Sequence, residues 1–292
     1  DFQIDRLSKK IMTLEGFVQP QNPENQLNIV ASFDQANMNI AEPFIKDVFS
    51  EIKGVASGRF NISGKLNYPI LTGEGEIAGG GFKLNYLNTS YTFGGKLFFD
   101  TNEIGVRQLN LYDANRNLAI LNGGVFHDGF KNFVLDLRAQ LNNFEVLNTS
   151  ASNNDLYYGN AFVTGQLNIL GAVNNLHFDA RATTNKGTRI FIPIKNTTGV
   201  QQEAYINFVN FNDSTKALAI ENGKNRIDLR GINLNFDIDI TPDAYTEIIF
   251  DLQAGDIIRG RGDGKINLKI DTNGDFNMFG NYEFVEGGYN FT

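Results

Sequence analysis

Alternation of apolar and polar residues is the dominant pattern along this chain. It is clearest at 232–240 (INLNFDIDI), where Ile, Leu and Phe alternate with Asn and Asp. It recurs at 264–270 and at 132–141. Side chains of a β-strand point to opposite faces with a period of two. The pattern therefore predicts strands with one apolar and one solvated face, as in an antiparallel sheet.

The C-terminal segment predicts a hairpin. Residues 264–270 alternate, Asn273 and Gly274 follow, and alternation resumes from Phe276. Asn-Gly is favoured in tight turns between antiparallel strands. We expect the two alternating segments to pair with each other.

One short pattern occurs three times, as SGRFNI at 57–62, TGQLNI at 164–169 and DGKINL at 263–268. Each copy reads small polar, Gly, long polar, apolar, Asn, apolar. Recurrence of one supersecondary unit favours a stack in which each unit covers its neighbour. We therefore expect residues 1–292 to form a single elongated β domain.

A helix is predicted over residues 43–53. Its apolar residues recur with helical spacing, Pro43 suits a first turn and Gly54 suits an end. Two interpretations are open. The segment is either a plug over one end of the sheet, which its shortness favours, or an amphipathic helix that meets a partner or membrane.

The composition supports an all-β fold. The chain has 30 Gly and 25 Phe but no Trp or Cys, and 41% of its residues are hydrophobic. Gly, Asn and Asp favour turns, whereas Phe, Ile, Val and Tyr favour strands. Without cysteine, the chain forms neither a disulfide framework nor a thiolate site.

Charge narrows the possible partners. The net charge is −8 and the pI is near 4.9, which disfavours nucleic acid and electrostatic attachment to anionic head groups. A lipid would have to be held through its acyl chains. No apolar run approaches the ~20 residues that a membrane-spanning helix needs. No signal peptide opens the sequence, and Asp1 begins in mid-pattern, so we expect a piece of a longer protein.

Candidate catalytic groups are few. His127 and His177 lie far apart without a nucleophile motif. Asp237 and Asp239 lie ~7 Å apart on one strand face, a separation that suits paired acids, but they belong to its repeating polar side. We expect no enzyme and no cofactor.

One segment resembles the start of a calcium loop. Residues 271–275 place oxygen ligands at positions 1, 3 and 5. Phe276 and Tyr282 replace the glycine and the bidentate glutamate that such loops require. We expect a hairpin turn there and no metal site.

Several segments resemble one family. They are 57–74 (SGRFNISGKLNYPILTGE), 85–93 (NYLNTSYTF), 111–130 (LYDANRNLAILNGGVFHDGF), 154–171 (NDLYYGNAFVTGQLNILG), 183–194 (TTNKGTRIFIPI) and 260–292. Together they resemble the C-terminal region of the TamB family of AsmA-like envelope proteins, in the form found in Bacteroidetes. The family's inner-membrane anchor and its extreme C-terminal segment have no counterpart in this sequence.

The resemblance implies a fold and a role. It implies an elongated, U-shaped antiparallel β-sheet with an apolar inner groove, spanning the periplasm between the inner and outer membranes. It also implies phospholipid transport along the groove. The alternative role is a scaffold or chaperone for outer-membrane barrel assembly with an Omp85-type partner, engaged through segments partly missing here.

The residues give an independent reason for a groove. If one parity of each strand is apolar and the sheet is too long to close, the apolar side must line a groove. About 20 to 25 strands spaced ~4.8 Å apart would give a sheet of roughly 100 to 120 Å. An inert solenoid with a closed, dry core is a further alternative.

Strand parity selects the residues expected on the groove floor, where they would contact phospholipid acyl chains. They are Phe60, Ile62, Leu66, Leu135, Leu137, Leu167, Ile169, Phe178, Leu234, Phe236, Ile238, Ile266, Leu268 and Ile270.

Overall fold

One mixed sheet dominates the structure. The computed structural model describes residues 2–6, 9–46, 48–153, 157–193, 232–251, 255–271 and 276–290. Within these ranges sixteen strands join a single sheet. The Asn273-Gly274 turn and most of the calcium-like segment lie outside the described residues. The predicted all-β class is confirmed.

The strand bounds follow chain order. The first eight strands are β1 (Phe2–Arg6), β2 (Lys9–Val18), β3 (Leu27–Asn37), β4 (Phe49–Lys65), β5 (Tyr68–Leu84), β6 (Thr89–Asp100), β7 (Glu103–Tyr112) and β8 (Leu118–Asp128). The remaining eight are β9 (Lys131–Thr149), β10 (Tyr158–Ala172), β11 (Asn175–Thr184), β12 (Arg189–Pro193), β13 (Ile232–Ile240), β14 (Tyr245–Asp251), β15 (Asp256–Ile270) and β16 (Phe276–Asn290).

The described strands are longer than a count of about 20 to 25 strands in this chain predicts. The glycines at 79–81 lie within β5, and residues 142–149 continue β9. A register shift between Ile77 and Gly80 marks a bulge where β5 pairs with β6. A bulge adds a residue without ending a strand, so local glycines do not divide the sheet there.

Neighbouring strands from β1 to β11 pair antiparallel in chain order, and β15 pairs antiparallel with β16 as predicted. The expectation of a wholly antiparallel sheet is wrong, because β11 pairs parallel with β13 and β12 pairs parallel with β14. Parallel neighbours need a crossover of a dozen or more residues.

The helix predicted over 43–53 is wrong in its second half. A 3-10 turn, Met38–Ala41, leads into one helical turn, α1 (Glu42–Ile45), and β4 begins at Phe49. Phe49 is the cross-strand partner of Leu84 on β5, and its ring packs edge-on against Phe82 at 5.2 Å. Pairing with β5 therefore overrides the local helical periodicity.

Cross-strand register aligns apolar residues into transverse rows on one face, termed the apolar face. The first row runs from β2 to β13 through Leu14, Ala31, Phe60, Gly73, Phe99, Ile104, Val125, Leu135, Gly171, Leu176 and Ile232. The second row runs from β2 to β15 through Met12, Phe33, Gly58, Gly75, Leu97, Val106, Gly123, Leu137, Ile169, Phe178, Leu234 and Ile270.

Two further rows cover the later strands. The third row is Leu109, Leu121, Ala139, Leu167, Ala180, Phe236, Leu268 and Met278, and the fourth is Phe93, Leu111, Ala119, Leu141, Gly165, Ala182, Ile238, Ile266 and Gly280. Direct partners in a sheet point to the same side. One face is thus apolar in every row across most of the sheet.

The sheet curls strongly between β6 and β9. The ring of Tyr91 on β6 stacks on Phe144 of β9, with centroids 4.9 Å apart and an interplanar angle of 18°. Strands β7 and β8 separate these two strands in the sheet. The rings, with buried Ala119, form a small core that Phe82, Leu111 and other partly buried residues surround.

Candidate lipid-binding face

The register brings the predicted groove residues together on one face. Phe60 and Leu135 lie in the first row, and Ile62 pairs with Ile29 and Leu71 on the same face. The second row contains Leu137, Ile169, Phe178, Leu234 and Ile270, the third contains Leu167, Phe236 and Leu268, and the fourth contains Ile238 and Ile266. Only Leu66 is placed elsewhere among these predicted residues.

Leu66 lies in the turn between β4 and β5 instead of in a strand. Its backbone N–H donates to Gln26 Oε1 at 2.8 Å, and its side chain is 52% exposed. Parity alone selected it, because it stands two residues after Gly64 and four after Ile62. Since a turn ends the alternation of faces, parity carries no information at this position.

Most long side chains of the apolar face are half-buried. Of the predicted residues in the rows, Ile270 alone is buried, at 4% exposure. The others, including Leu167 and Phe236, are of intermediate exposure. A closed, dry core would bury such residues fully. Within the described residues, this partial burial favours an open face over the closed, dry core of an inert solenoid.

Aromatic rings line the N-terminal part of this face. The Phe60 ring contacts Phe33 at 5.8 Å and Phe99 at 4.8 Å, in both cases edge to face. Glycines leave room for it, since a Cβ built on Gly58 would lie 2.9 Å from the tip of the Phe60 ring. The ring thus occupies space that an ordinary side chain would fill.

Sequence reasoning missed several members of the rows, among them Phe99, Ile104, Val125 and Leu176. Their strands were expected, and within-strand alternation shows which of their residues share a face. Membership of a row additionally requires the register between strands. That register depends on the bulges, such as the one between Leu97 and Gly94 in β6.

The opposite face, termed the polar face, carries a network of Asn, Asp and Lys side chains. Asn235 Nδ2 donates to Asp179 Oδ1 at 3.2 Å, and Asn267 Nδ2 donates to Asp237 Oδ1 at 2.7 Å. Lys265 Nζ lies 3.6 Å from Asp239 Oδ1. These groups are exposed, so each pair contributes little stability. Asp237 and Asp239 therefore have partners expected of a solvated face.

One concavity of the described sheet has a volume of about 680 Å³ and is open to solvent. Arg181, Asp237, Asp239 and Lys265 contribute to its lining. Apolar residues of the fourth row, such as Ile238, line it as well. Both polar and apolar side chains therefore border this concavity.

The two histidines occupy different settings. His127 is buried against Phe130, whose backbone N–H donates to His127 Nδ1 at 3.3 Å, whereas His177 is exposed on the polar face. Within the described residues no group of three His, Cys, Asp or Glu side chains could hold a metal ion.

A buried pair of carboxylates lies beside the curl of the sheet. Asp113 and Glu145 are 4% and 5% exposed. Burial raises the pKa of the Glu145 carboxyl, and the negative charge of Asp113 raises it further. Asp113 accepts hydrogen bonds from the backbone N–H groups of Asn115 and Asn117 and from the Asn117 side chain. Its carboxylate is therefore a structural group that holds the β7–β8 turn.

The fold and its exposed apolar face define a class, an all-β protein built on a long sheet with one apolar side. A comparison with known families matches residues 107–292 to the TamB C-terminal domain. The match spans more than half of the chain, and the chain belongs to the TamB family. No curated protein sequence gave a significant match. No solved structure gave one either.

Membership fixes the general setting. The family consists of non-enzymatic proteins of the cell envelope that act with outer-membrane partners in outer-membrane assembly or envelope transport. In the described residues, no helix is both long and apolar enough to cross a membrane.

Proposed function

We propose that this chain carries phospholipid, with the acyl chains lying on the apolar face and the head groups in water. In this proposal the sheet is one elongated domain bent into a U-shaped trough. It forms part of a conduit that bridges the inner and outer membranes through the periplasm. An Omp85-type outer-membrane barrel is the expected partner.

One observation carries the proposal. The first two apolar rows extend across more than ten strands, yet most of their long side chains are half-buried. Each CH₂ group removed from water contributes about 0.8 kcal/mol. An acyl chain on this surface is therefore retained strongly. Movement between similar rows replaces one apolar contact with another and costs little.

Native mass spectrometry of the purified chain tests the proposal. We expect co-purified phospholipid in several copies. Leu167 and Gln166 are neighbours on β10 that point to opposite faces, so they offer a matched pair of charge substitutions. Leu167→Glu should lose most of the bound lipid, whereas Gln166→Glu should retain it.

Circular dichroism establishes that both variants keep their strand content. A folded Leu167→Glu protein with the lipid content of the parent would contradict binding at the apolar face. If the parent chain, purified without detergent, contains no lipid, that result would contradict phospholipid binding by this chain.

A second candidate function is a scaffold for nascent outer-membrane strands. It is favoured by β16, which pairs with β15 along its length and has no other strand partner among the described residues. Its Phe279 and Val285 side chains are 57% and 68% exposed. An unpaired strand edge can accept an extended segment by main-chain hydrogen bonding.

The two candidates differ in their dependence on the apolar face. A scaffold acting through β16 should bind a synthetic strand peptide of an outer-membrane barrel without lipid. The Leu167→Glu variant should bind this peptide with the same affinity as the parent chain. Fluorescence anisotropy of a labelled peptide measures it, and absence of binding at high micromolar concentration would exclude this mode.

A further inference from the structure

The stacked pair Tyr91 and Phe144 belongs to a larger set of contacts that holds β6 and the turn before it against β9. We term this set the cross-strand clasp and define it by Leu87, Asn88, Tyr91, Phe144 and Asn148. Three strand spacings of ~4.8 Å would separate β6 from β9 by about 14 Å along a flat sheet. The ring centroids are 4.9 Å apart. The clasp therefore joins β6 and β9 across the inside of the curl.

Hydrogen bonds reinforce the stacked rings. The Tyr91 hydroxyl donates to the Glu145 carbonyl oxygen at 2.9 Å. The Asn148 N–H donates to the Leu87 carbonyl oxygen at 2.9 Å, and Asn88 Nδ2 donates to the Asn148 carbonyl oxygen at 2.6 Å. Burial raises the pKa of the Tyr91 phenol, so its hydroxyl keeps the proton that it donates.

The clasp fills the interior of the curl with the protein's own side chains. Tyr91, Ala119 and Phe144 are buried, and Leu111 and Leu141 of the fourth row pack against them. Between β6 and β9 the side chains of the first row stay half-buried, as at Phe99 and Leu135. Away from the clasp, on β13 and β15, all four rows contain partly exposed residues.

We propose that the clasp is a constriction that gates passage along the apolar face. When the clasp is closed, acyl chains between β6 and β9 can contact only the part of the apolar face that carries the first two rows. When Tyr91 separates from Phe144, the clasp opens and acyl chains can contact all four rows. This inference rests on the proposed lipid-binding function, and it identifies the point on the face where passage is regulated.

A reversible crosslink tests the gate directly. The chain contains no cysteine, so the pair Leu87→Cys and Asn148→Cys would supply its only thiols. These residues are joined by a backbone hydrogen bond, which suits the Cα separation of a disulfide. The control pair is Asn168→Cys and Asp179→Cys, direct partners on β10 and β11, which links strands that are already neighbours.

The measurement is transfer of fluorescent phosphatidylethanolamine between donor and acceptor vesicles. Oxidation of the clasp pair should slow transfer at least fivefold, and reductant should restore it, while the control pair is unaffected. Tyr91→Phe keeps the stacked ring but loses one hydrogen bond, so it should speed transfer about two- to fivefold. Mass spectrometry confirms disulfide formation before each assay.

The outcomes separate the gate from the proposed function. Equal transfer by the oxidised and reduced clasp pair, with phospholipid still bound, would overturn the gate and leave lipid binding intact. A parent chain that neither binds nor transfers phospholipid would overturn both.

Discussion

The backbone N–H of Glu145 on β9 donates a hydrogen bond to Asp113 Oδ2 at the end of β7, over 2.9 Å. The same carboxylate accepts three hydrogen bonds from Asn115 and Asn117. Asp113 therefore fixes the β7–β8 turn and ties it to β9 beside the clasp.

Asp113→Ala should destabilise the chain by about 2–4 kcal/mol, because a buried N–H of β9 and the donors of the turn lose their acceptor. Asp113→Asn should cost less, since one carboxamide oxygen still accepts. Urea denaturation followed by circular dichroism measures both. A change below ~0.5 kcal/mol for the alanine variant would show that water replaces the carboxylate.

Glu145→Gln should stabilise the chain at neutral pH. Burial, followed by the charge of Asp113, raises the pKa of the Glu145 carboxyl in the folded chain. The folded state therefore binds the proton more tightly than the unfolded state, and stability falls as pH rises from the usual glutamate pKa through the raised one. Denaturation of both proteins across this window should show that their difference in unfolding free energy disappears at low pH. A difference that does not change with pH would assign the effect to packing.

Gly123→Ala should destabilise the chain by more than ~2 kcal/mol. Gly123 on β8 has φ +109°, and an added Cβ would lie 2.0 Å from the Asp136 carbonyl oxygen on β9. Gly288→Ala is the matched control, because nothing lies within 4 Å of its Cβ position. Thermal denaturation compares the two, and equal midpoints would mean that β9 shifts freely to admit the methyl group.

Periodicity predicted the faces of the strands well, because alternation is a property of each strand by itself. Leu234, Phe236 and Ile238 could thus be placed on one face before their partners were known. The helix prediction failed at Phe49 because the competing partner, Leu84, lies on another strand. Local spacing contains no record of that contact.

Features that depend on several strands together were beyond the sequence pattern. The stack of Tyr91 on Phe144 follows from curvature accumulated over β6–β9, and no motif links the two residues. The parallel pairing of Phe178 on β11 with Leu234 on β13 likewise joins strands that are not neighbours in the sequence. The resemblance between the repeated segments indicates common units but not the direction in which they pair.

Ile62 and Leu66 separate true members of the apolar face from residues that share only their parity. Ile62 is half-buried on β4 between Ile29 and Leu71, whereas Leu66 projects from the β4–β5 turn. Ile62→Glu should therefore reduce bound phospholipid severalfold, because an ionised carboxylate on the face costs desolvation when an acyl chain covers it. Leu66→Glu should leave the lipid content unchanged. Native mass spectrometry of the two folded variants decides: equal losses would place the turn in contact with lipid and extend the binding surface to the hairpin end.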